Sequence, residues 1–367
     1  MNNKDSAEWF EPGDRSQMHR KLRAWYRNQS RDLPWRKTND PYAIWVSEIM
    51  LQQTQVATVI DYYHRFLLRF PTVTDLANAE LQEVLKYWEG LGYYRRARQM
   101  HAAANQIVEH HAGKFPRSFD QVLALPGIGR YTAGAICSFA FDQSQPILEA
   151  NTQRLYCRLM KWQDDPKSGF SQKAMWRFAE EFVPQKNAGE INQSLMELGS
   201  LICTPSNPKC AECPLKSFCP TFAANLQAEI PKPPKPKDFE HVHEVAWVIW
   251  DNDKVLVREC LPGERWEGLW DFPRFAIEAE EHFDEGRHAK LQARFGLLVQ
   301  AATLRMRIKH GVTKYKITLD CFDVQWKEGP QAVIGNFRWL RFDQLHEVPL
   351  HSTARRIAKS IQDGRGP

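Results

Sequence analysis

The sequence contains no run of about 18 apolar residues, so no segment is suited to cross a membrane as a helix. Its opening residues, Met1-Asn-Asn-Lys-Asp-Ser-Ala-Glu8, lack the apolar stretch of a secretory leader. Cysteine is scarce, at 8 among 367 residues, which argues against a small disulfide-stapled scaffold. There is no internal repeat, and from about residue 14 to 225 there is no strand pattern. Charge of either sign is nearly balanced, with a net +5, which permits a nucleic-acid partner without arguing for one. These features lead us to expect a cytoplasmic chain with reduced thiols and no membrane partner. The sequence does have length enough for two or three domains and an ordinary globular composition, 43% hydrophobic and 25% charged.

Half of the few cysteines fall together, as Cys203-x6-Cys210-x2-Cys213-x5-Cys219 followed by Pro220. Prolines and polar residues between them bend the chain back repeatedly, so four thiolates can close around one centre. A structural zinc or an iron–sulfur cluster would suit them, and the intervals alone match neither the usual zinc-finger nor the ferredoxin spacing. Cys137, Cys157, Cys260 and Cys321 are scattered and read as small core residues.

Periodicity predicts helices through the first part of the chain. Asp40-Pro41 is a cap followed by proline at the first helical position, opening a helix that carries Ile44, Trp45, Ile49 and Met50. Further helices are expected at 81–88, 94–111, 118–124, 131–141, 152–160, 172–182 and 190–202. Ile230-Pro-Lys-Pro-Pro-Lys-Pro-Lys-Asp238 reads as an extended linker. Beyond it, 242–250, 254–258, 304–309, 314–324 and 336–341 read as strands, with one helix at about 283–295, a separate α+β domain.

Three features suggest chemistry. Leu125-Pro-Gly127-Ile-Gly129-Arg130 lies between two helices. Its two glycines allow a tight turn that aims backbone N–H groups outward at a helix start, an anion site suited to a DNA phosphate, or else a plain connecting turn. Glu48 lies in an otherwise apolar helix, where burial would raise its pKa and suit it to proton donation, unless it is exposed. Glu149 immediately precedes a helix, where the dipole and free N–H groups would hold it ionised, or where it is simply a cap. One protonatable and one ionised carboxylate are the arrangement that cleaves glycosidic bonds.

These residues resemble a family. Arg31-Asp-Leu-Pro-Trp-Arg36, Trp45-Val-Ser-Glu-Ile-Met-Leu-Gln-Gln-Thr54, Trp88-Glu-Gly-Leu-Gly-Tyr-Tyr94, Leu125-Pro-Gly-Ile-Gly-Arg-Tyr-Thr-Ala-Gly134, Leu198-Gly199 and the four cysteines stand in the order seen in adenine DNA glycosylases of the MutY type. Those enzymes belong to the helix–hairpin–helix, endonuclease III-like superfamily. The resemblance runs over about 15–355 and implies an α plus α+β architecture. Residues 1–225 would form the helix–hairpin–helix glycosylase region, with a six-helix barrel at about 34–141 and an iron–sulfur module from 14–33 and 142–225. A Pro/Lys-rich linker at 226–241 and a Nudix-like 8-oxoguanine-recognition domain at 242–367 would follow.

The resemblance also implies a 4Fe–4S cluster on Cys203, Cys210, Cys213 and Cys219. The substrate it implies is double-stranded DNA with adenine opposite 8-oxoguanine or guanine, bound by a monomer. Glu48 matches the glutamate that protonates the flipped adenine, Tyr131 a tyrosine supporting the catalytic carboxylates, and Asn151 a member of the same catalytic turn. Gln53 and Tyr93 match residues that push into the base stack, while Arg31, Leu33, Trp35, Leu51 and Gln193 match the adenine pocket. Thr54, Gly127 and Gly129 fall within the matching DNA-contact motifs. In endonuclease III-like bifunctional relatives a lysine follows the Gly-x-Gly-Arg turn and forms an imine. Tyr131 stands there instead, which implies hydrolysis with little strand cleavage.

The chain departs from the family in two places. Where the family reads Val-Asp-Gly-Asn, this sequence reads Leu148-Glu149-Ala150-Asn151. Charge is kept, but the carboxylate is extended by one methylene, about 1.5 Å. Two outcomes follow, an active enzyme or a catalytically impaired mispair-binding protein. In the C-terminal domain, signalled by Gly268-Leu-Trp-Asp-Phe-Pro273, the lesion-reading loop reads His310-Gly-Val312-Thr313-Lys314 in place of Phe-Ser/Thr-His. Thr313 keeps a hydroxyl able to bond the lesion, and Lys314 offers a cation to a phosphate. Around 280–296 the spacing of acids needed for a magnesium-dependent Nudix hydrolase is missing.

Overall fold

The structure, a computed structural model, describes residues 9–11, 13–233, 238–277, 285–299, 302–312, 314–328 and 336–364. It divides into two compact units, 1–78 with 102–235, and 79–101 with 236–367. Residues 79–101, expected within the helical barrel, therefore group with the C-terminal part of the chain.

The first unit is helical, as the periodicity implied. It holds α1 (Asp14–Gln29), α2 (Pro41–Leu51), α3 (Val56–Arg69) and α4 (Val73–Asn78). α5 (Leu81–Trp88) lies in the second unit, and α6 (Arg95–His111) begins there and ends in the first. α7 (Phe119–Leu123), α8 (Arg130–Phe141), α9 (Ala150–Leu159), α10 (Gly169–Phe182), α11 (Ala188–Leu201) and α12 (Pro220–Ala223) complete the first unit. α2 starts as its sequence requires, with the Asp40 side chain accepting from the Tyr42 N–H at 3.1 Å and Pro41 at the first turn. Every residue from Tyr42 to Met50 is buried, so this helix is enclosed on all sides. Glycine lets two pairs of helices approach: a Cβ at Gly199 of α11 would lie 2.8 Å from Asn151 Cβ of α9, and one at Gly189 would lie 2.4 Å from the Ser138 carbonyl of α8.

A core beneath α9 to α11 is built from Leu155, Tyr156, Phe178, Phe182, Leu195 and Leu198. Ile230, 1% exposed, belongs to it, and its carbonyl accepts from Arg158 at 2.8 Å. The stretch read as an extended linker from 230 is therefore anchored in the first unit at its start, because a bulky β-branched side chain there gains more by burial than by solvation. Residues 234–237 of that stretch lie outside the described residues.

The second unit contains an α+β fold. β1 (Glu240–Asp251) and β2 (Lys254–Glu259) form a hairpin, followed by β3 (Trp270–Asp271) and β4 (Arg274–Ile277). α13 (Glu285–Phe295), β5 (Leu298–Val299), β6 (Thr303–Val312), β7 (Tyr315–Glu328), β8 (Phe337–Arg341) and α14 (Ser352–Gly364) follow. β1 runs parallel to β7 and antiparallel to β2 and β4, and β6 pairs with β7. Alternation along β1 splits two cores. Ala246, Val248 and Trp250 face α14, whereas Val245, Trp247 and Ile249 share a cluster with Leu291 and Phe295 of α13. The four scattered cysteines are all buried. Among the described residues no helix is long and apolar enough to cross a membrane.

Candidate active site

α2, α8, α9 and α11 all bring functional residues to a common cavity of about 570 Å³ in the first unit. Glu48 and Leu51 come from α2, Gln53 and Thr54 from the turn after it, and Gly129 and Tyr131 from the start of α8. Glu149 and Asn151 come from the start of α9, and Gln193 from α11. The segment between α1 and α2 adds Arg31, Leu33 and Trp35. Residues up to 169 apart in sequence thus meet at one cavity.

Glu48 is 4% exposed. Burial pushes its carboxyl up to about 7, the Tyr131 hydrogen bond pulls it back, and the nearby Glu149 charge raises it again. The Tyr131 hydroxyl donates to Glu48 Oε2 at 2.6 Å, and its own pKa is driven up by burial and by the two carboxylates. A buried carboxyl that titrates near neutrality beside a roomy cavity is suited to donate a proton to a base.

Glu149 caps α9. It accepts from the backbone N–H groups of Asn151 and Thr152, both at 2.9 Å, and from Asn151 Nδ2 at 3.2 Å. Its backbone N–H in turn donates to Thr152 Oγ1 at 2.8 Å, closing a capping box. The helix start alone would hold this group low. Burial instead moves it above the ordinary carboxylate value, and the hydrogen bonds only reduce the rise. The expected contrast between one raised and one depressed carboxylate is therefore a contrast of degree. Asn151 is fixed in turn by Arg154, which donates to its Oδ1 at 2.9 Å and to the Cys203 carbonyl at 2.6 Å.

Glu197, not singled out from the sequence, also lines the same cavity. It is fully buried and accepts from Arg31 through Nε at 2.9 Å, Nη2 at 2.6 Å and the backbone N–H at 2.8 Å, and from Arg36 at 2.8 Å. Burial would push it up, but these hydrogen bonds win and hold it at about 2. The signal that picked out Glu48, a lone carboxylate in an apolar helix, was also present in Ser194-Leu-Met-Glu-Leu198. Gln193 accepts from the Tyr26 hydroxyl at 2.7 Å, and Trp35 packs edge-on against Tyr63 at 5.5 Å.

Gly127, with φ 75°, forms the turn before α8, and Gly129 is the cap of that helix with no side chain over its free N–H groups. Gln53 holds φ 57° at the cavity rim. Tyr93 is in the second unit. Thr313 lies outside the described residues. Lys314 pairs with Glu240 at 2.6 Å, so the cation expected to meet a phosphate already has a partner.

Cys203, Cys210, Cys213 and Cys219 line one shared recess and form no disulfide. Thiols surrounding a space suit a cluster with its own metal–sulfide body better than one zinc. Buried Arg158 supports the loop by donating to Cys203 Sγ at 3.3 Å and to the Thr204 carbonyl at 2.8 Å.

Comparison with known proteins matches residues 46–181 to the HhH-GPD superfamily base excision DNA repair protein pattern, 203–219 to the iron-sulfur binding domain of endonuclease III and 245–360 to a NUDIX domain. A mouse adenine DNA glycosylase is 31% identical over 399 residues, covering 94% of this chain and 78% of its own. The chain belongs to the adenine DNA glycosylase family. A rat adenine DNA glycosylase is 44% identical over 276 residues, covering 72% of this chain and 52% of its own. The chain thus spans about half the length of that relative. A solved thermostable thymine-DNA glycosylase has a TM-score of 0.53 at 28% identity, covering 57% of this chain and 97% of its own. For this member of the adenine DNA glycosylase family, the iron–sulfur match over 203–219 settles the choice left open by cysteine spacing: the chain carries a 4Fe–4S cluster.

Proposed function

We propose that this chain removes adenine paired with 8-oxoguanine or guanine from double-stranded DNA, by hydrolysis of the N-glycosidic bond. The observation that carries the proposal is Glu48, buried in the cavity, raised to about 7 and hydrogen-bonded by Tyr131. A base can reach such an acid only outside the stack, so the nucleotide must be flipped into the cavity, lined by Leu33, Trp35 and Leu51. Protonated by Glu48, adenine departs as a neutral leaving group. Positive charge then develops on the sugar, Glu149 supplies a second carboxylate in the cavity to stabilise it, and a water adds to C1′ and gives up a proton to complete the hydrolysis. Asn151 and the α9 N–H groups hold that carboxylate in place. The cluster stays out of the chemistry and orders the loop at 203–219. The protein acts as a monomer, which light scattering of the free and DNA-bound forms tests.

Single-turnover release of adenine from an adenine:8-oxoguanine duplex decides the proposal. The wild-type chain should release the base, and Glu48→Gln should not. A second reading, mispair binding without excision, has one observation in its favour: the longer Glu149 carboxylate is already committed to capping α9. Tight binding with no release by wild type would establish it. Tyr131 supports hydrolysis without strand cleavage, since a phenol cannot form the imine that a lysine forms. Abundant borohydride-trapped complex with abasic DNA would contradict this.

A further inference from the structure

The loop that carries Tyr93 is fastened to the end of the Nudix-like domain. Tyr93 stands 54% exposed with φ 47°, directly after Gly92 at φ 68°, and Gly90 two residues earlier has φ 101°. Such backbone is costly for a tyrosine and persists only where surrounding contacts hold it. Part of the support is local. Trp88 Nε1 donates to the Gly92 carbonyl at 3.1 Å, and Arg96 donates to the Leu91 and Gly92 carbonyls at 3.2 and 3.1 Å. The Arg96 guanidinium also lies 5.6 Å from the centre of the Tyr93 ring.

The rest of the support comes from residues more than 250 positions away. Glu89, immediately before the loop, takes both ends of the Arg355 fork, one contact at 2.9 Å, and accepts the Leu350 N–H at 3.2 Å. Arg355 also donates to the Leu345 and Val348 carbonyls, at 2.8 and 3.0 Å. On the far side of the loop the Tyr94 hydroxyl accepts from Gly90 N at 3.3 Å and donates to the Leu350 carbonyl at 3.5 Å. One segment, 345–355, therefore holds the loop by both flanks, while the Tyr93 ring beside Arg96 stays exposed. An exposed aromatic on an immobilised, strained turn is suited to enter or cap a base stack.

We infer that Glu89 and Arg355 are positioning residues for Tyr93, through which the C-terminal domain aims this ring at the DNA. The inference rests on the reading that the protein opens a duplex at a mispair. It gives the Nudix-like domain a second task besides contacting the lesion, since it also sets the stiffness of the wedge. An ion pair acting this way contributes nothing once its wedge is gone.

The test is a double-mutant cycle on the full chain. The ligand is an adenine:8-oxoguanine duplex with a non-cleavable adenine analogue and 2-aminopurine beside the 8-oxoguanine. Dissociation constants and 2-aminopurine fluorescence are measured for wild type, Glu89→Gln, Tyr93→Ala and the double variant. We expect Glu89→Gln to weaken binding about tenfold and to lower the unstacking signal, and the double variant to match Tyr93→Ala. Arg355→Lys keeps the charge but loses the fork, should show part of the same effect, and replaces Glu89→Gln in the cycle if that variant does not fold. Wild-type behaviour of the charge variant, or additive losses in the double variant, would overturn the inference while leaving the wedge intact. Wild-type binding by Tyr93→Ala would instead overturn the duplex-opening role of the loop, and the inference with it.

Discussion

Glu48 decides how the activity should depend on pH. Burial raises it to about 7, so the protonated donor is lost as pH rises through that value. Adenine release should fall about tenfold per pH unit above it, as a single-turnover pH profile would show. Tyr131→Phe removes a hydrogen bond that lowers the Glu48 pKa, so the falling limb should move to higher pH while the acidic plateau drops. The same shift affects stability. The folded state binds a proton on Glu48 more tightly than the unfolded state does, so this contribution is full below pH 4.5 and lost as pH rises through about 7. Glu149 makes a separate prediction. Three hydrogen bonds position its carboxylate at the glutamate's length. Glu149→Asp would keep the cap but withdraw the charge by about 1.5 Å, and should slow single-turnover release roughly tenfold to a hundredfold. Equal or faster release by the aspartate variant would mean that the glutamate is only tolerated.

At the scale of elements, close helix contacts hold the two ends of the site. An added Cβ at Gly199 would lie 2.8 Å from Asn151 Cβ and 2.9 Å from its carbonyl oxygen, so Gly199→Ala must push α11 from α9. The expected cost is about 1–3 kcal/mol in denaturant unfolding, with a larger proportional loss of adenine release because Asn151 holds Glu149. The Arg31–Glu197–Arg36 clamp ties α11 to the segment before α2. Its glutamate is held at about 2, so its contribution is present above the ordinary value of 4.5 and lost as pH falls through about 2. Glu197→Gln would leave two arginines short of a counter-charge and should destabilise the fold by about 3 kcal/mol, read by urea unfolding near neutral pH. The helices themselves were legible in the sequence because caps and periodicity are local. Asp40-Pro41 opens α2, and Ser118 caps α7 by accepting from Gln121 N. The role of Glu197 was not legible, because its arginine partners are 161 and 166 residues away.

For the whole molecule, the grouping of 79–101 with the C-terminal part changes what a truncation would report. Removing residues 238–367 should reduce the preference for 8-oxoguanine over guanine, measured as the ratio of excision rates. The same cut strips partners from α5, where Gln82 reaches Glu259 and the Gly268 carbonyl, both at 2.9 Å, and from α6, where Arg98 reaches the Glu267 carbonyl at 2.6 Å. Amide exchange over 81–98 should therefore rise in the truncated chain. An unchanged excision ratio in that chain would remove the lesion-reading role from the domain.

Residue identity and short spacing were enough to read the two-part architecture and the cluster of four cysteines and to single out Glu48 as a candidate acid, because each is encoded within one element or one motif, while the likeness to the family rests on several such motifs in order. Three matters required the folded chain: the upward shift of Glu149, the arginine clamp on Glu197 and the fastening of the Tyr93 loop by Arg355. Each depends on burial or on partners brought together from distant parts of the chain. A helix start next to a carboxylate predicts a low pKa until the depth of the cavity is known, and desolvation then outweighs the dipole.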